Sequence, residues 1–353
     1  MSVKKIFSLA ASITKLFIFF LFFLINSKAE ENNIKYYSEE MGTLTLMYHR
    51  FNEHKYPSTN IQIDIFKEQV KIIKKNNYKF YSPDEFALNF KIPKKEKKIL
   101  LTIDDAFSSF YKNAWPFLKE KKIPFILFVS TESVGKFGYM SWDQIKEIEM
   151  ENFVYIGNHS HSHNYLVNLK NQQFLNDIEK SIKIFEKQLG YNPIFFSYPF
   201  GEYNNFIKKY ISEKFDFSFG QHSGVIDVNK NLFELPRFSI NEKYGNLKRF
   251  EFLINLQPLQ FKKLYPENKF INDKNNPPQF SVNFFKEQKN LDNINCFSDA
   301  GNGWAPSLTY FENEILKIKF RDKFLFRRGR INCSLLDNGI WRWFGVQFTV
   351  EKN

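Results

Sequence analysis

The stretch KKILLTIDDAFSSFYKNAWPFLKEKKIPFILFVS, residues 97–130, contains three successive elements that indicate the fold class. KKILLTI (97–103) has the composition of a buried strand. FSSFYKNAWPFLKEKK (107–122) predicts a helix interrupted near Pro116, because proline removes a helical hydrogen bond. PFILFVS (124–130) predicts a second buried strand. A strand, a helix and a strand in this order are typical of a parallel pair joined by a crossover helix.

The same alternation continues over residues 42–242, where strand-like and helix-like segments follow one another about seven times. Further strands are predicted at 43–49, 153–157, 195–201, 217–220 and 235–240, and further helices at 63–76, 142–150, 172–190 and 204–215. We therefore expect an α/β domain at residues 42–245, with a distorted (β/α)7-type barrel.

The composition changes beyond residue 245. Residues 246–279 include KLYPENKFINDKNNPPQ, which is rich in Asn, Lys and Pro, and we expect an irregular linker there. Residues 280–353 read as short strands without helices, with a hairpin turn at Asp337-Asn338-Gly339. This pattern predicts a small all-β, sandwich-like C-terminal domain. Its tryptophans are either sugar-stacking platforms or core residues: Trp304, Trp341 and Trp343.

The first 29 residues have the pattern of a signal peptide. Lys4 and Lys5 precede the apolar run LFIFFLFFLI (16–25), and small residues follow at positions 27 and 29. A retained signal anchor is the alternative. We expect export to the periplasm, the cell envelope or the medium, with membrane association only through an uncleaved signal segment. Removing residues 1–29 deletes four lysines and no acids, so the net charge falls from +12 to +8.

Two observations bear on partners and redox state. The lysines are scattered rather than grouped in blocks, so a nucleic-acid partner is not indicated. The two cysteines, Cys296 and Cys333, both lie in the last sixty residues. In an exported chain such a pair predicts a disulfide, and two buried thiols are the alternative.

Half of the six histidines lie in GNHSHSHNYL, residues 157–166. On an extended strand His159, His161 and His163 would share one face, whereas on a helical turn only His159 and His163 would meet. The preceding strand ends at Gly157, so the histidines lie in a loop that can form one turn. Two imidazoles at that spacing predict a pair of metal ligands, and a polar loop of exposed histidines is the alternative.

Polar groups follow four of the predicted strands, where α/β barrels place their functional residues. These groups are His49, the pair Asp104-Asp105, the histidine loop, and Pro199-Phe200-Gly201. An isolated pair of aspartates would be read as a helix cap. Four strand ends with compatible groups favour one site instead.

Four segments resemble the signatures of a known family: LTLMYH (44–49), LTIDDAFSS (101–109), NHSHSH (158–163) and YPFGEYN (198–204). They are similar to segments of the polysaccharide deacetylases, the carbohydrate esterases with a NodB homology domain. The resemblance covers residues 42–242 and leaves the C-terminal region unexplained. The segment ending in His49 precedes the others, as in the circularly permuted branch that includes poly-N-acetylglucosamine deacetylases.

The resemblance implies a role for each matching residue. Asp105, His159 and His163 would bind a divalent metal, with zinc expected first and iron, cobalt or nickel as alternatives. Asp104 would be the general base and His49 the general acid, and His161 would face away from the metal. The backbone N–H of Phe200 would stabilise the oxyanion, within a substrate-binding segment formed by Tyr198, Pro199, Phe200 and Gly201. One carboxylate and two imidazoles would leave coordination positions open, as catalytic metal sites require.

The implied activity is the removal of N-acetyl groups from an aminosugar polysaccharide or oligosaccharide. Alternatives are the same chemistry on chitooligosaccharide, peptidoglycan or an O-acetylated glycan, or a non-catalytic glycan-binding protein. Two departures from the family pattern matter. Ser197 stands where an arginine normally steadies the base, and Arg237 either supplies that charge or caps a strand. His222 is a rival to His49 as the acid.

Overall fold

A computed structural model describes residues 34–351 of the chain, so the predicted signal segment lies outside the described residues. In the part described, no helix is both long enough and apolar enough to cross a membrane. From Tyr36 onward the chain forms one compact unit, which contains both the α/β region and the C-terminal β region. The domain boundaries at residues 245 and 280 therefore stay a prediction.

The α/β region contains eleven strands and six α-helices among the described residues. The strands are β1 (Thr43–Tyr48), β2 (Arg50–Phe51), β3 (Asn60–Ile61), β4 (Lys79–Phe80), β5 (Lys98–Ile103), β6 (Phe125–Val129), β7 (Val154–Asn158), β8 (Phe195–Ser197), β9 (Phe217–Phe219), β10 (Val225–Ile226) and β11 (Phe238–Ser239). The helices are α1 (Ile63–Lys75), α2 (Pro83–Leu88), α3 (Trp115–Lys121), α4 (Trp142–Glu149), α5 (Asn171–Leu189) and α6 (Asn205–Ser212).

A nine-stranded sheet forms the centre of this region, along the path β10-β1-β5-β6-β7-β8-β9. Every neighbouring pair from β1 to β9 on this path is parallel. Strand β11 pairs in parallel with β1, and Leu235, just before β11, forms a bridge with Phe219 of β9. The segment 235–239 thus links both edges of the sheet. The predicted α/β fold is confirmed, with the sheet curled into a half-barrel instead of a regularly closed one.

Strands β5 and β6 are buried on both faces, which explains their continuous apolar sequence. Ile99 and Leu101 of β5 join one hydrophobic cluster, whereas Leu100, between them, joins another on the opposite face. In β6, Leu127 and Phe128 divide between the same two clusters. Successive strand residues point to opposite faces, so both layers that cover the sheet receive large side chains.

Two local features differ from the sequence-based prediction. The helix expected at 107–122 consists of a π-helical turn at Phe110–Ala114 followed by α3, with Pro116 in its first turn, where proline is tolerated. Helix α2 was not predicted. Its signal is nevertheless present, because the Ser82 side chain accepts a hydrogen bond from the Glu85 N–H and Pro83 begins the helix.

The C-terminal region contains one helix and ten strands among the described residues. They are α7 (Leu247–Ile254), β12 (Gln257–Pro258), β13 (Phe261–Tyr265), β14 (Phe270–Ile271), β15 (Phe280–Phe284), β16 (Asn295–Asp299), β17 (Trp304–Pro306), β18 (Leu308–Glu312), β19 (Ile315–Lys319), β20 (Arg328–Asp337) and β21 (Ile340–Val350). Residues 246–279, expected as an irregular linker, thus contain a helix and three strands. An Asn246 cap starts α7, and β12, β13 and β14 pair with strands of the two C-terminal sheets.

Two sheets dominate the C-terminal region, a mixed one with the strand order β12-β21-β20-β16-β17, in which β12 and β14 pair in parallel with β21, and an antiparallel one with the order β13-β15-β19-β18. One hydrophobic cluster contains Val282 and Leu316 from the second sheet together with Ile331 and Phe348 from the first. The sheets therefore pack face to face, as the sandwich-like prediction required. The hairpin between β20 and β21 turns at Asn338 and Gly339, both with positive φ.

The predicted disulfide is present in this sandwich. Cys296 of β16 and Cys333 of β20 are directly paired across the ladder, and their sulfurs are bonded. Both side chains are buried within the C-terminal hydrophobic cluster. The bond therefore cross-links β16 and β20, which are neighbouring strands of the same sheet.

Removing this disulfide should destabilise the C-terminal region. The bond closes a loop with a sequence separation of 37, which corresponds to about 3–4 kcal/mol in the chain-entropy model. We expect the Cys296→Ala/Cys333→Ala protein to unfold at lower urea concentration, with its bound metal retained before unfolding. Thiol titration of the denatured, unreduced wild type should find no free thiol. Two free thiols per chain would contradict the pairing.

Candidate metal centre and substrate cleft

The strand register brings the predicted site residues to one edge of the sheet. Tyr48 of β1 pairs with Ile103 of β5, so His49 and Asp104 leave neighbouring strands at the same level. Asn158, the last residue of β7, pairs with Phe196 of β8. Parallel strands present their carboxyl ends on the same side, so the groups that follow all four strands face a common space.

Asp105, His159 and His163 form a cluster that can hold a metal ion. One ligand atom from each residue lies within 4.8 Å of the others. The Asp105 Oδ1 atom is 3.1 Å from His163 Nε2 and 3.5 Å from His159 Nε2. Two ligands with metal bonds of about 2.0–2.1 Å lie roughly 3.0–3.3 Å apart in tetrahedral or octahedral geometry. The separation between Asp105 and His163 lies in that range, and the separation between Asp105 and His159 is slightly longer.

The environment of His159 provides an independent test of this fit. Its Nδ1 lies 2.6 Å from the Ser197 carbonyl oxygen, so Nδ1 carries the proton and Nε2 has a free lone pair. Within residues 34–351, this buried Nε2 has no hydrogen-bond partner. Burial lowers the pKa of His159 to about 4, so the ring is neutral at physiological pH. A buried, neutral and unpartnered imidazole nitrogen is suited to a metal ligand.

The loop that carries the histidines is fixed by helix α5. Both carboxylate oxygens of Asp177 accept hydrogen bonds from the backbone, one from His161 N–H and one from Ser162 N–H. Inside the loop, the Ser160 hydroxyl accepts from His163 N–H. These bonds hold Ser160 and His163 at φ values of 67° and 54°. Such strain in non-glycine residues is found mainly where function requires it.

His161 lies apart from the other two histidines. Its Nδ1 is 2.8 Å from the Thr131 hydroxyl, and it is not among the residues of the metal cluster. The backbone of the loop therefore separates one histidine from the pair that shares Asp105. The expectation that His161 faces away from the metal agrees with this geometry.

Asp104 is held by Arg237 in a fully buried ion pair. Arg237 Nη1 and Nη2 donate to the two carboxylate oxygens at 2.7 and 2.8 Å, and Nη2 also donates to Ser197 Oγ at 2.8 Å. Burial alone raises the pKa of Asp104, but the charges of Arg237, His159 and His49, together with the Arg237 hydrogen bonds, outweigh it and hold the pKa below its usual range. Arg237 thus supplies a positive charge directly to Asp104, and because its side chain is buried it is not an exposed strand cap.

The surroundings of His49 and His222 differ. Burial lowers the pKa of His49, and the charges of Asp104 and Asp105 oppose this effect. Burial also lowers the pKa of His222, to about 4, but there the opposing charge is Glu234. Both rings line the cleft. His49 is therefore electrostatically coupled to the aspartates of the site, whereas His222 is coupled to a neighbouring acid outside it.

The segment Tyr198–Gly201 forms the rim of the site next to His163. Phe200 has φ 60°, and its ring lies 4.8 Å from the His163 ring and 4.0 Å from the Tyr165 ring. A side chain at Gly201 would approach the Gln221 backbone to within 2.5 Å. Tyr198 and Pro199 are buried behind this turn. The segment is therefore closely packed, and Phe200 lines the cleft.

Contacts from the C-terminal region support the same segment, and no local sequence pattern predicts them. Gln347 Nε2 donates to the Phe200 carbonyl at 3.0 Å and to the Gly201 carbonyl at 3.2 Å. Arg327 Nε binds both oxygens of the buried Glu202 at 3.0 and 2.7 Å. The β sandwich is thus part of the framework that positions the site.

A cleft of about 760 Å³ opens over the metal cluster. Its walls come from both regions: His49, Asp105, His163 and Phe200 lie on one side, and Phe297, Trp304, Asn332 and Trp343 of the β sandwich lie on another. Trp304 is 42% exposed, whereas Trp343 is half-buried and donates its N–H to Ser223 Oγ. Trp341 is not among the residues that line the cleft and lies near Phe252. Two of the three tryptophans therefore face the cleft.

Comparison with known proteins agrees with this geometry. Residues 91–217 match the family model described as polysaccharide deacetylase. A poly-beta-1,6-N-acetyl-D-glucosamine N-deacetylase of Staphylococcus aureus is 27% identical over 236 residues, which cover 58% of this chain and 80% of that protein.

Two solved structures share the fold. The deacetylase PplD of Streptococcus pyogenes, in complex with acetate, is 24% identical, with a TM-score of 0.53 over 58% of this chain and 95% of that one. IcaB from Ammonifex degensii is 24% identical, with a TM-score of 0.55 over 61% of this chain and 98% of that one. The segment matched by the polysaccharide deacetylase model, residues 91–217, includes Asp104, Asp105 and the histidine loop, so over this segment the chain is similar to the polysaccharide deacetylases.

Proposed function

We propose that the chain is a metal-dependent hydrolase that removes N-acetyl groups from an aminosugar polysaccharide or oligosaccharide. The observation that carries the proposal is the Asp105, His159 and His163 cluster, which lies beside the ion-paired Asp104 at the base of a cleft large enough for sugar units. The S. aureus relative, named for the same reaction on poly-N-acetylglucosamine, supports the reaction class.

In this proposal Asp105 Oδ1, His159 Nε2 and His163 Nε2 hold the metal. The bound ion would polarise the acetyl carbonyl and lower the pKa of water. Zinc fits the mixed nitrogen and oxygen ligands, and iron, cobalt or nickel would fit them as well. His159 has its Nδ1 proton fixed by the Ser197 carbonyl, which keeps Nε2 available without rotation of the ring.

Asp104 acts as the general base. Arg237 keeps its carboxylate ionised and fixes its orientation through two hydrogen bonds. A carboxylate fixed beside the reacting water takes the proton as the carbonyl carbon is attacked. Because Arg237 donates to both oxygens, the carboxylate is held without rotational freedom.

His49 acts as the general acid that protonates the departing amine nitrogen, a poor leaving group as an anion. Burial lowers the pKa of His49, and the charges of Asp104 and Asp105 partly offset that effect, so these two carboxylates stabilise the protonated ring that donation requires. The Phe200 N–H stabilises the oxyanion, and its backbone is supported by Gln347 through the carbonyl of the same residue.

The cleft suits a sugar chain, because Phe297 and Trp304 present exposed rings, both 42% exposed, along the wall opposite the metal cluster. Aromatic rings bind the apolar faces of sugars. The disulfide is typical of an oxidising compartment, and together with the N-terminal signal pattern it supports export to the periplasm, the cell envelope or the medium.

The reaction class can be tested by measuring the two expected products, acetate and the free amine of the sugar. Incubation with an N-acetylglucosamine oligomer should release acetate and an equal amount of free primary amine. An O-acetylated glycan would yield acetate without amine, so acetate without amine identifies an esterase. Absence of both products with every metal and glycan tested would contradict catalysis and leave the glycan-binding alternative.

The assignment of the acid gives a further prediction. His49→Gln should reduce kcat by about 10²-fold or more, because the leaving amine loses its proton donor, and it should retain the metal. His222→Gln, the matched control on the same cleft, should retain kcat within a few-fold. If His222→Gln is inactive and His49→Gln is close to wild type, the roles are reversed.

A further inference from the structure

The charged side chains that line the cleft are unbalanced in sign. They are Asp105, Arg237, Arg249, Arg328 and Arg330. Asp105 belongs to the metal cluster, and the charge of Arg237 is neutralised by the buried Asp104. Three arginines remain, Arg249 in α7 and Arg328 and Arg330 in β20. None of the three has a role in the reaction proposed above.

None of these three arginines has a carboxylate to itself within the described residues. Within the described residues, Arg249 donates to the Tyr244 carbonyl and Arg330 to the Gln347 side chain, and no ion pair involves either of them. Arg328 is 3.4 Å from Glu202, but Arg327 already binds both oxygens of that carboxylate. One carboxylate thus serves two guanidinium groups, and the wall keeps a net positive charge.

Partial burial of the Arg249 and Arg330 guanidinium groups costs desolvation free energy, which an anion nearby would offset. Both side chains are half-buried, and burial lowers the pKa of both. Tyr244 opposes that effect in each case; at Arg330 the neighbouring Arg328 adds to it and Asp299 also opposes it. The two guanidinium groups therefore lie near one tyrosine although they belong to different regions of the chain. A half-buried guanidinium gains most from a planar anion that accepts two hydrogen bonds.

We propose that the glycan bound in this cleft is acidic, and that Arg249, Arg328 and Arg330 bind carboxylate groups on sugars next to the reacting N-acetyl group. This inference rests on the deacetylase function proposed above and adds the charge of the substrate to it. The exposed rings of Phe297 and Trp304 bind sugar faces of any charge, whereas the arginines distinguish an acidic chain from a neutral one.

The carboxylate can come from two sources, a uronic acid beside the aminosugar or a lactyl ether on the aminosugar itself. The test uses a tetrasaccharide of each type, together with its counterpart in which every carboxyl is converted to the neutral amide. Binding to the metal-loaded protein is measured from tryptophan fluorescence within milliseconds of mixing, before turnover, and acetate release is measured separately.

At least one acidic tetrasaccharide should bind about tenfold or more tightly than its amide, because hydrogen bonds to charged groups are each worth about that factor. The difference should shrink in high salt. Arg249→Gln/Arg330→Gln should remove most of the preference. Arg321→Gln, which removes the same charge from an exposed position outside the cleft, should retain it.

Equal affinities for acid and amide in both pairs would overturn the inference, even if acetate is released from all four compounds. An unchanged preference in the double variant would also overturn it, since the anion would then bind elsewhere. If the acidic compounds bind preferentially but none releases acetate and amine, the acidic cleft stands as a binding site and the deacetylase proposal fails. The two proposals can therefore fail separately.

Discussion

His163→Ala is expected to lose its metal and to reduce acetate release by more than about 100-fold. The variant removes one of the three proposed protein ligands, and even changes to residues behind a ligand cost about 10–100-fold in metal affinity or activity. His159→Ala and Asp105→Asn should have the same effect. The measurement is metal content per folded chain by elemental analysis, alongside acetate release.

The matched control is the remaining histidine of the same loop. His161→Asn can keep a hydrogen bond to Thr131, which His161 makes through Nδ1, and it should bind metal and release acetate like the wild type. A His163→Ala protein with one tightly bound metal per chain would show that the ligand set is wrong. Metal loss in the His161 variant as well would indicate damage to the loop instead of a lost ligand.

Arg237→Met is expected to lower both stability and turnover. It leaves the carboxylate of Asp104 buried without its counter-charge, and breaking a buried ion pair in this way costs about 3–5 kcal/mol. Turnover should fall by about 10²-fold, because the base is no longer held ionised and oriented. Urea denaturation gives the free energy of unfolding, and kcat is measured well below the denaturation midpoint.

A second buried ion pair serves as a control that distinguishes the loss of stability from the loss of turnover. Arg342 binds Asp337 at 3.1 Å in the C-terminal region and is not among the residues that line the cleft. Arg342→Met should therefore destabilise the protein and retain kcat per folded molecule. Arg237→Lys should recover part of the stability, but less of the turnover, since lysine cannot donate bidentately. Wild-type kcat in folded Arg237→Met would exclude a role for Arg237 in positioning the base.

Local patterns predicted most of the framework. The apolar runs at β5 and β6 have this character because both faces of those strands are covered, and the spacing of His159 and His163 reflects the turn that brings their Nε2 atoms to one carboxylate. The adjacent aspartates have separate partners, since Asp104 bonds Arg237 and Asp105 contacts the histidines.

The features of the site that the sequence alone does not determine depend on contacts between residues far apart in the chain. The pairing of Arg237 with Asp104 spans 133 positions, and that of Gln347 with the Phe200 carbonyl spans 147. No pattern within one element determines such contacts, because they depend on how β11 and β21 pack against the sheet edge. The prolines and asparagines of residues 246–279 are typical of irregular chain, yet this region contains a short α-helix and three short strands.

The most direct test of the account is a metal-restoration titration that follows acetate release from an N-acetylated oligosaccharide. Chelator treatment of the wild type should abolish release, and adding back one equivalent of divalent metal per chain should restore it, whereas His163→Ala should not recover under the same conditions. Undiminished release from wild-type protein that contains no metal would contradict the central claim that Asp105, His159 and His163 hold the ion on which the hydrolysis depends.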